Sequence, residues 1–298
     1  MPPDLPAQVI EQQCHAVYAQ YVYPASSTVR ESIDKMRQSA PQSGNGASTD
    51  FVTMRQSAIE RNAKTLGAQA GLYWRYAQIR EVLQRPEITH ALDTAFDFSQ
   101  VVTNHLVLYP VIEEATDSLE ISPDGQTARA SSVTWEIVRP ARIVPVTPTW
   151  RDYLWMKALE KGAAPITPSG AMMPIDEAEN LRWKSAICDG FRDGVRQANL
   201  IFSDNVMQLI RDYKGMLRFR RLIEAGAVSE PEITEGKLGV TMGKSGQRVN
   251  IDERMVRIVT PARFRETSSW RIDRTVPRDL LPSDTDPEHI PIDIGIPR

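Results

Sequence analysis

Residues 176–226, DEAENLRWKSAICDGFRDGVRQANLIFSDNVMQLIRDYKGMLRFRRLIEAG, carry the longest helical pattern in the chain. Asp176 stands where it can cap a first turn, and Glu179 follows at the spacing of a capping box. Leu181, Cys188, Phe191, Val195, Ala198, Phe202, Val206, Leu209, Tyr213, Met216, Leu217 and Ile223 then recur at helical intervals, which keeps an apolar stripe on one face. Gly226 stands where a left-handed residue would close the last turn. Gly190 and Gly194 each weaken the interior by about 1 kcal/mol relative to alanine, so the stretch is one long helix or two collinear ones. Four residues apart, they also clear a groove for a second helix. The stretch is a packing spine, and a spine alone names no function.

Ahead of the spine, Ala7 to Tyr21 and Thr28 to Met36 read as short helices, and residues 38–50 (QSAPQSGNGASTD) as a flexible linker. Thr49 or Asp50 caps a helix running to about Gln84, with Val52, Ile59, Ala63, Leu66, Ala70, Tyr73, Ala77 and Ile79 on its stripe. Ile88 to Gln100 reads as helical. Asp124-Gly125 is a turn between strands Ser118 to Ile121 and Thr127 to Val138. Arg142 to Val146 continues as strand, Thr149 caps a short helix from Trp150 to Lys161, and Gly162 to Pro174 is a proline-punctuated loop.

After the spine, Leu238 to Met242 and Arg248 to Ile251 flank a Gly-Lys-Ser-Gly tip. Met255 to Val259 and Phe264 to Ile272 read as further strands. The expected fold is α+β, predominantly helical, a long central helix with accessory β-hairpins. A tether over 1–50, a single domain over 51–275 and a proline-rich tail over 276–298 complete the expectation.

A chain of 298 residues buries roughly three quarters of its extended surface, enough for a sizeable core. A net charge of -3 argues against a general nucleic-acid binder. No run of about 18 apolar residues exists, so no transmembrane helix is expected. The N-terminus lacks a signal-peptide pattern. Cys14 and Cys188 are the only cysteines. They are read as two free or buried thiols rather than one bridge, which leaves the redox compartment open.

Chemistry is sparse. Gly243-Lys244-Ser245 lacks the earlier glycine of a phosphate loop, since position 238 is Leu238, and strand rather than helix follows. His15, His90, His105 and His289 are scattered without metal-ligand spacing. Glu113 and Glu114 read as one exposed and one paired carboxylate. No nucleophile elbow is present. No catalytic, cofactor or metal residues are assigned. Between Arg211 and Arg221 five cations interleave with apolar residues, and a helix end whose cations complement the macrodipole accounts for them better than a headgroup site does.

FDF at 96–98, YPVIEE at 109–114, PTWRDYL at 148–154, RDYKGM at 211–216 and GVT at 239–241, in that order, resemble the DotC/TraI lipoproteins of type IVB secretion and IncI-type conjugation systems. The similarity spans roughly Phe51 to Arg274, and its motifs are structural. The resemblance implies a non-enzymatic subunit of an outer-membrane core complex, on the periplasmic face and held by a lipidated N-terminal cysteine. It also implies DotD-like and DotH-like partners within a multimeric ring. Cys14 has no lipobox around it, so the expectation is that the leader and lipidated cysteine have been removed and Met1 added. Trp150, Arg151, Tyr153 and Leu154, with Phe202, Leu209, Arg211, Tyr213, Arg218 and Phe219 on the spine, are the candidate partner or membrane contacts.

Two other readings compete. One is a soluble enzyme working in the Gly162–Pro174 loop with Asp189 and Asp193 as acids. The other is a peripheral membrane protein acting through Trp74, Phe219 and the arginines.

Overall fold

A computed structural model describes residues 6–21, 31, 35, 47–103, 106–155, 165, 172–243, 245–266, 268 and 270. It is an α+β, predominantly helical fold with a long central helix and small antiparallel hairpins. The expected linker up to residue 46, the Thr28–Met36 helix, most of the Gly162–Pro174 loop and the tail lie outside the described residues. The chain divides into two compact units, one holding the described residues up to Thr89 with Trp155–Asn205, the other His90–Leu154 with those from Val206 on.

The first unit is helical: α1 (Ala7–Tyr21), α2 (Ala47–Leu83) and the first part of α5 (Glu177–Glu224). The spine is thus one helix of 48 residues. Asp176 caps it by accepting from the Glu179 amide at 2.7 Å, and Glu179 reaches back to accept from the Ile175 amide at 3.0 Å, one residue before the amide a capping box would use. Arg55 bonds Glu179 and Arg75 bonds Asn199, each 124 residues apart, so α2 and α5 run parallel.

Glycines bring the two helices together. A Cβ built on Gly190 would lie 2.1 Å from the Lys64 carbonyl oxygen, and one on Gly194 2.1 Å from that of Ala68. Gly67 and Gly71 meet the carbonyls of Ile187 and Phe191 in the same way. The groove expected from Gly190 and Gly194 is real, and α2 answers it with two glycines of its own.

Helix α1 runs antiparallel to α5: Tyr18 bonds Asn180, Arg192 reaches Glu11, and Cys14 is disulfide-bonded to Cys188 across 174 residues of sequence. This corrects the expectation of two thiols and of a loose N-terminal segment. Ile10 and Val17 pack around the bond with Ala70, Phe191 and Val195, so α1 is a built part of the core. Cys14→Ser is expected to lower the unfolding free energy by about 2–4 kcal/mol, because the bond closes a long loop in the unfolded chain. Urea unfolding with and without reductant checks this, and an unchanged midpoint would remove the role.

A stripe residue on each long helix needs correcting, and Ala77 of α2 is exposed. Leu181 is 64% exposed, whereas Trp183 and Ile187 are fully buried against Ile59, Ala63 and Leu66. Leu181 stands two residues, just over half a turn, from both Glu179 and Trp183, so it faces the opposite side.

The second unit contains α3 (Pro86–Ala95), α4 (Trp150–Leu154) and the end of α5. Its strands are β1 (Val107–Leu108), β2 (Val111–Ile121), β3 (Ala128–Arg139), β4 (Arg142–Ile143), β5 (Glu232–Met242) and β6 (Val249–Thr260). They form three two-stranded antiparallel ribbons, β1–β4, β2–β3 and β5–β6. Gly226 closes α5 at φ 72°, with the Ala227 amide donating to Leu222 at 2.9 Å. Gly215 lets the base of β2 lie on α5, its missing Cβ falling 2.5 Å from a Val111 methyl. Ile112, Phe219, Leu222, Ala227 and Val228 form the core there.

The ribbons are longer than the sequence patterns suggested. β2 starts at Val111 rather than Ser118, β5 at Glu232 rather than Leu238, and the two strands expected within 248–259 are one. In β5–β6 a bulge explains this: at Asp252, φ 56°, β6 takes three steps from Glu253 to Asn250 against two on β5 from Gly239 to Thr241, which shifts the alternation without breaking the strand. In β2–β3 the pairing keeps one register from Ile112 to Ile121, through Asp117 at φ 51°. Ile88 to Gln100 is α3 followed by a 3-10 turn, Phe98–Val101, capped by Asp97. Arg142 to Val146 shortens to β4, and Phe264 makes a single bridge to Val228.

Candidate interaction surface

Most residues expected at an interface face inward. Trp150, Leu154, Phe202, Leu209, Tyr213 and Phe219 are all buried. Ring contacts hold several of the aromatics in place: Phe96 and Phe98 enclose Tyr213, Phe98 lies against Tyr153, and Tyr109 against Phe219. The Trp150 indole donates to Asp93 at 2.7 Å, and Arg151 bonds the same carboxylate, holding it below the usual carboxylate range. Trp74 is half-buried and packs on Phe191 in the core around the disulfide.

The cations of the spine are engaged within the chain. Arg211 reaches Glu113, Arg218 bonds Glu114 and the Ile112 carbonyl, and Arg220 reaches Glu224. Glu114 also accepts from the Trp135 indole at 2.8 Å, so both adjacent glutamates are paired. Arg139 grips the fully buried Asp212 with two bonds of 2.6 Å. Beside this pair, burial and the Asp212 charge push the Tyr153 hydroxyl up to about 12, so it stays protonated at neutral pH.

Arg139, Asp212 and Tyr153 line a cavity of about 20 Å³. That is room for one water and for no substrate. The aspartates of the enzyme reading are surface partners: Asp189 bonds Arg192, while Asp193 bonds Lys64, which lowers its pKa. Among the described residues, the group near enough to share a metal ion is Cys14, His15 and Cys188, and the disulfide has consumed both sulfurs.

What the chain leaves uncovered is on its ribbons. In β2–β3, Leu119 pairs with Ala130 and Ile121 with Ala128, so these four share a face, and Leu119 and Ile121 are 61% and 59% exposed. In β5–β6, Met242 pairs with Val249, and Val240 and Ile251 lie two residues back on the same face. All four are at least half exposed, Ile251 reaching 76%. The opposite face is closed by hydrogen bonds joining Thr241, Asn250 and Glu253. At this ribbon's tip the Gly246 amide donates to the Gly243 carbonyl, so the expected hairpin connection is there. Sequence reading found both hairpins but missed their bare faces, because alternation alone does not say which side of a ribbon the body covers.

A two-stranded ribbon is marginal alone in water, and an exposed apolar face marks a surface that another body covers. Among curated proteins nothing matches the chain. A family model described as type IV secretory system, conjugal DNA-protein transfer, matches residues 53–272, the helical body and both long ribbons. The chain belongs to this TraI family of type IV secretion proteins.

Proposed function

We propose that the protein is a structural subunit of the outer-membrane core complex of a type IVB secretion or conjugative transfer system, held at the periplasmic face and helping to place partner subunits there. The observation that carries this reading is the pair of long ribbons whose distal apolar faces the chain itself leaves bare. The family match supports the transfer-system setting. The Cys14–Cys188 bond favours an oxidising compartment such as the periplasm. No helix among the described residues is long and apolar enough to cross a membrane, which fits attachment by an N-terminal lipid and by neighbours. The partners are DotD-like and DotH-like subunits, in a multimeric ring.

The test is a pull-down from envelope extracts with the tagged, leader-bearing protein, read by mass spectrometry. Recovery of DotD-like and DotH-like proteins is expected. Recovery of the chain without them, from a soluble cytoplasmic fraction, would overturn the reading.

A further inference from the structure

We propose that Cys14, His15 and Cys188 bind a zinc ion whenever the bond between the two sulfurs is open, so that metal ties α1 to α5 in place of the disulfide.

The donor atoms are already gathered. Both sulfurs and a ring nitrogen of His15 lie within 4.8 Å of one another, although Cys188 comes from α5 and the other two from α1. A tetrahedral zinc ion holds thiolate and imidazole ligands roughly 3.5–4 Å apart, a spacing this group spans once the sulfurs are free to part. Two thiolates and an imidazole suit zinc, whereas magnesium and calcium take oxygen ligands. The surroundings suit it as well. Cys14 and Cys188 are buried among Ile10, Val17, Ala70, Phe191 and Val195, while His15 is exposed. The apolar side shields the metal–sulfur bonds, and the His15 side gives the ion its way in and leaves the fourth position to water. Sequence spacing hid the group, because Cys188 lies 174 positions beyond Cys14.

Helix α1 needs such a tie. It has 15 residues, with no acid in its first turn and no base in its last, and a helix of that length is marginal alone in water. Besides the sulfurs, its polar contacts with α5 among the described residues are Tyr18 with Asn180 and a 3.8 Å approach of Arg192 to Glu11. Opening the bond takes two electrons and two protons, which a dithiol supplies as it becomes a disulfide itself. The freed thiols then release both protons as they bind the ion. Ion and bond therefore exclude each other, and a thiolate held by zinc is withheld from oxidation.

The test uses the full untagged chain, reduced with a phosphine because a dithiol would itself take up metal. Co²⁺ is the probe, read by its thiolate-to-metal absorption, and Zn²⁺ should displace it. The expected result is one Co²⁺ per reduced chain and none in the oxidised chain or in reduced Cys14→Ser. Reduced His15→Ala should bind about a hundredfold more weakly, since losing even an outer partner of a metal ligand costs about 10–100-fold. Zn²⁺ should also raise the urea midpoint of the reduced protein and leave that of the oxidised protein unchanged. Circular dichroism confirms that each variant is folded, and His15 is exposed, so its replacement disturbs no packing. Reduced protein that takes up no Co²⁺, equal uptake by oxidised protein, or His15→Ala binding as tightly as the parent overturns the inference.

Discussion

Gly190→Leu is expected to abolish the cooperative folding of the helical unit. The Gly190 position faces the Lys64 carbonyl so closely that even a methyl group would come within 2.1 Å. Backbone stands on both sides of the contact, so no rotamer relieves the clash and α2 must move away from α5. Overpacking a core commonly costs 1–3 kcal/mol where side chains can adjust, and a backbone collision exceeds that range. Intrinsic helix propensity pulls the other way, since leaving glycine gains about 1 kcal/mol. Gly190→Ala therefore weighs the two effects directly, and an expected net loss of about 2–3 kcal/mol says that sterics win. Urea unfolding followed by circular dichroism reads both variants. A stabilised Gly190→Ala protein would mean that the helices are not in backbone contact.

Arg139→Met is expected to cost about 3–5 kcal/mol, the penalty for leaving a buried charge uncompensated. The Asp212 side chain is wholly buried, whereas the Arg139 side chain is 35% exposed. Losing the arginine strands a buried carboxylate beside a cavity with room for one water, with Tyr153 and Arg211 still near it. Losing the aspartate leaves a guanidinium that can partly hydrate, so Asp212→Asn should be the milder change. Replacing both, as Arg139→Met with Asp212→Leu, should recover most of the loss by packing apolar groups in place of the pair. A double-mutant cycle measured by urea unfolding tests the asymmetry. Equal losses from the two single variants would show that the aspartate is not the stranded partner.

The helices were legible in the sequence because their signals are local. Asp176 and Glu179 mark the start of α5, Gly226 marks its end, and Gly190 with Gly194 announces a close neighbour. What local signals could not reveal is which neighbour fills each groove. Gly67 and Gly71 acquire meaning only once α2 lies beside α5 in parallel. Phe202, Leu209 and Phe219 looked available for partners because periodicity shows an apolar face without showing what covers it. The ribbons were half legible: Asp124-Gly125 gives a turn, but the bulge at Asp252 shifts the alternation and disguises one strand as two. The Cys14–Cys188 bond was beyond sequence reasoning, since two cysteines 174 residues apart carry no sign of proximity.

That bond also decides how the molecule bears load. A pull on the residues ahead of Cys14 does not travel along the chain toward α2. It crosses from Cys14 to Cys188 and enters α5 partway along its length. The chain between them, a sequence separation of 174 and roughly 600 Å if fully extended, is shielded from the tension. With the bond reduced, the same pull would first peel α1 from its packing and then reach α2. With it intact, α1 is a strap fastened to the longest helix, and the glycine-lined contact between α2 and α5 stays out of the load path.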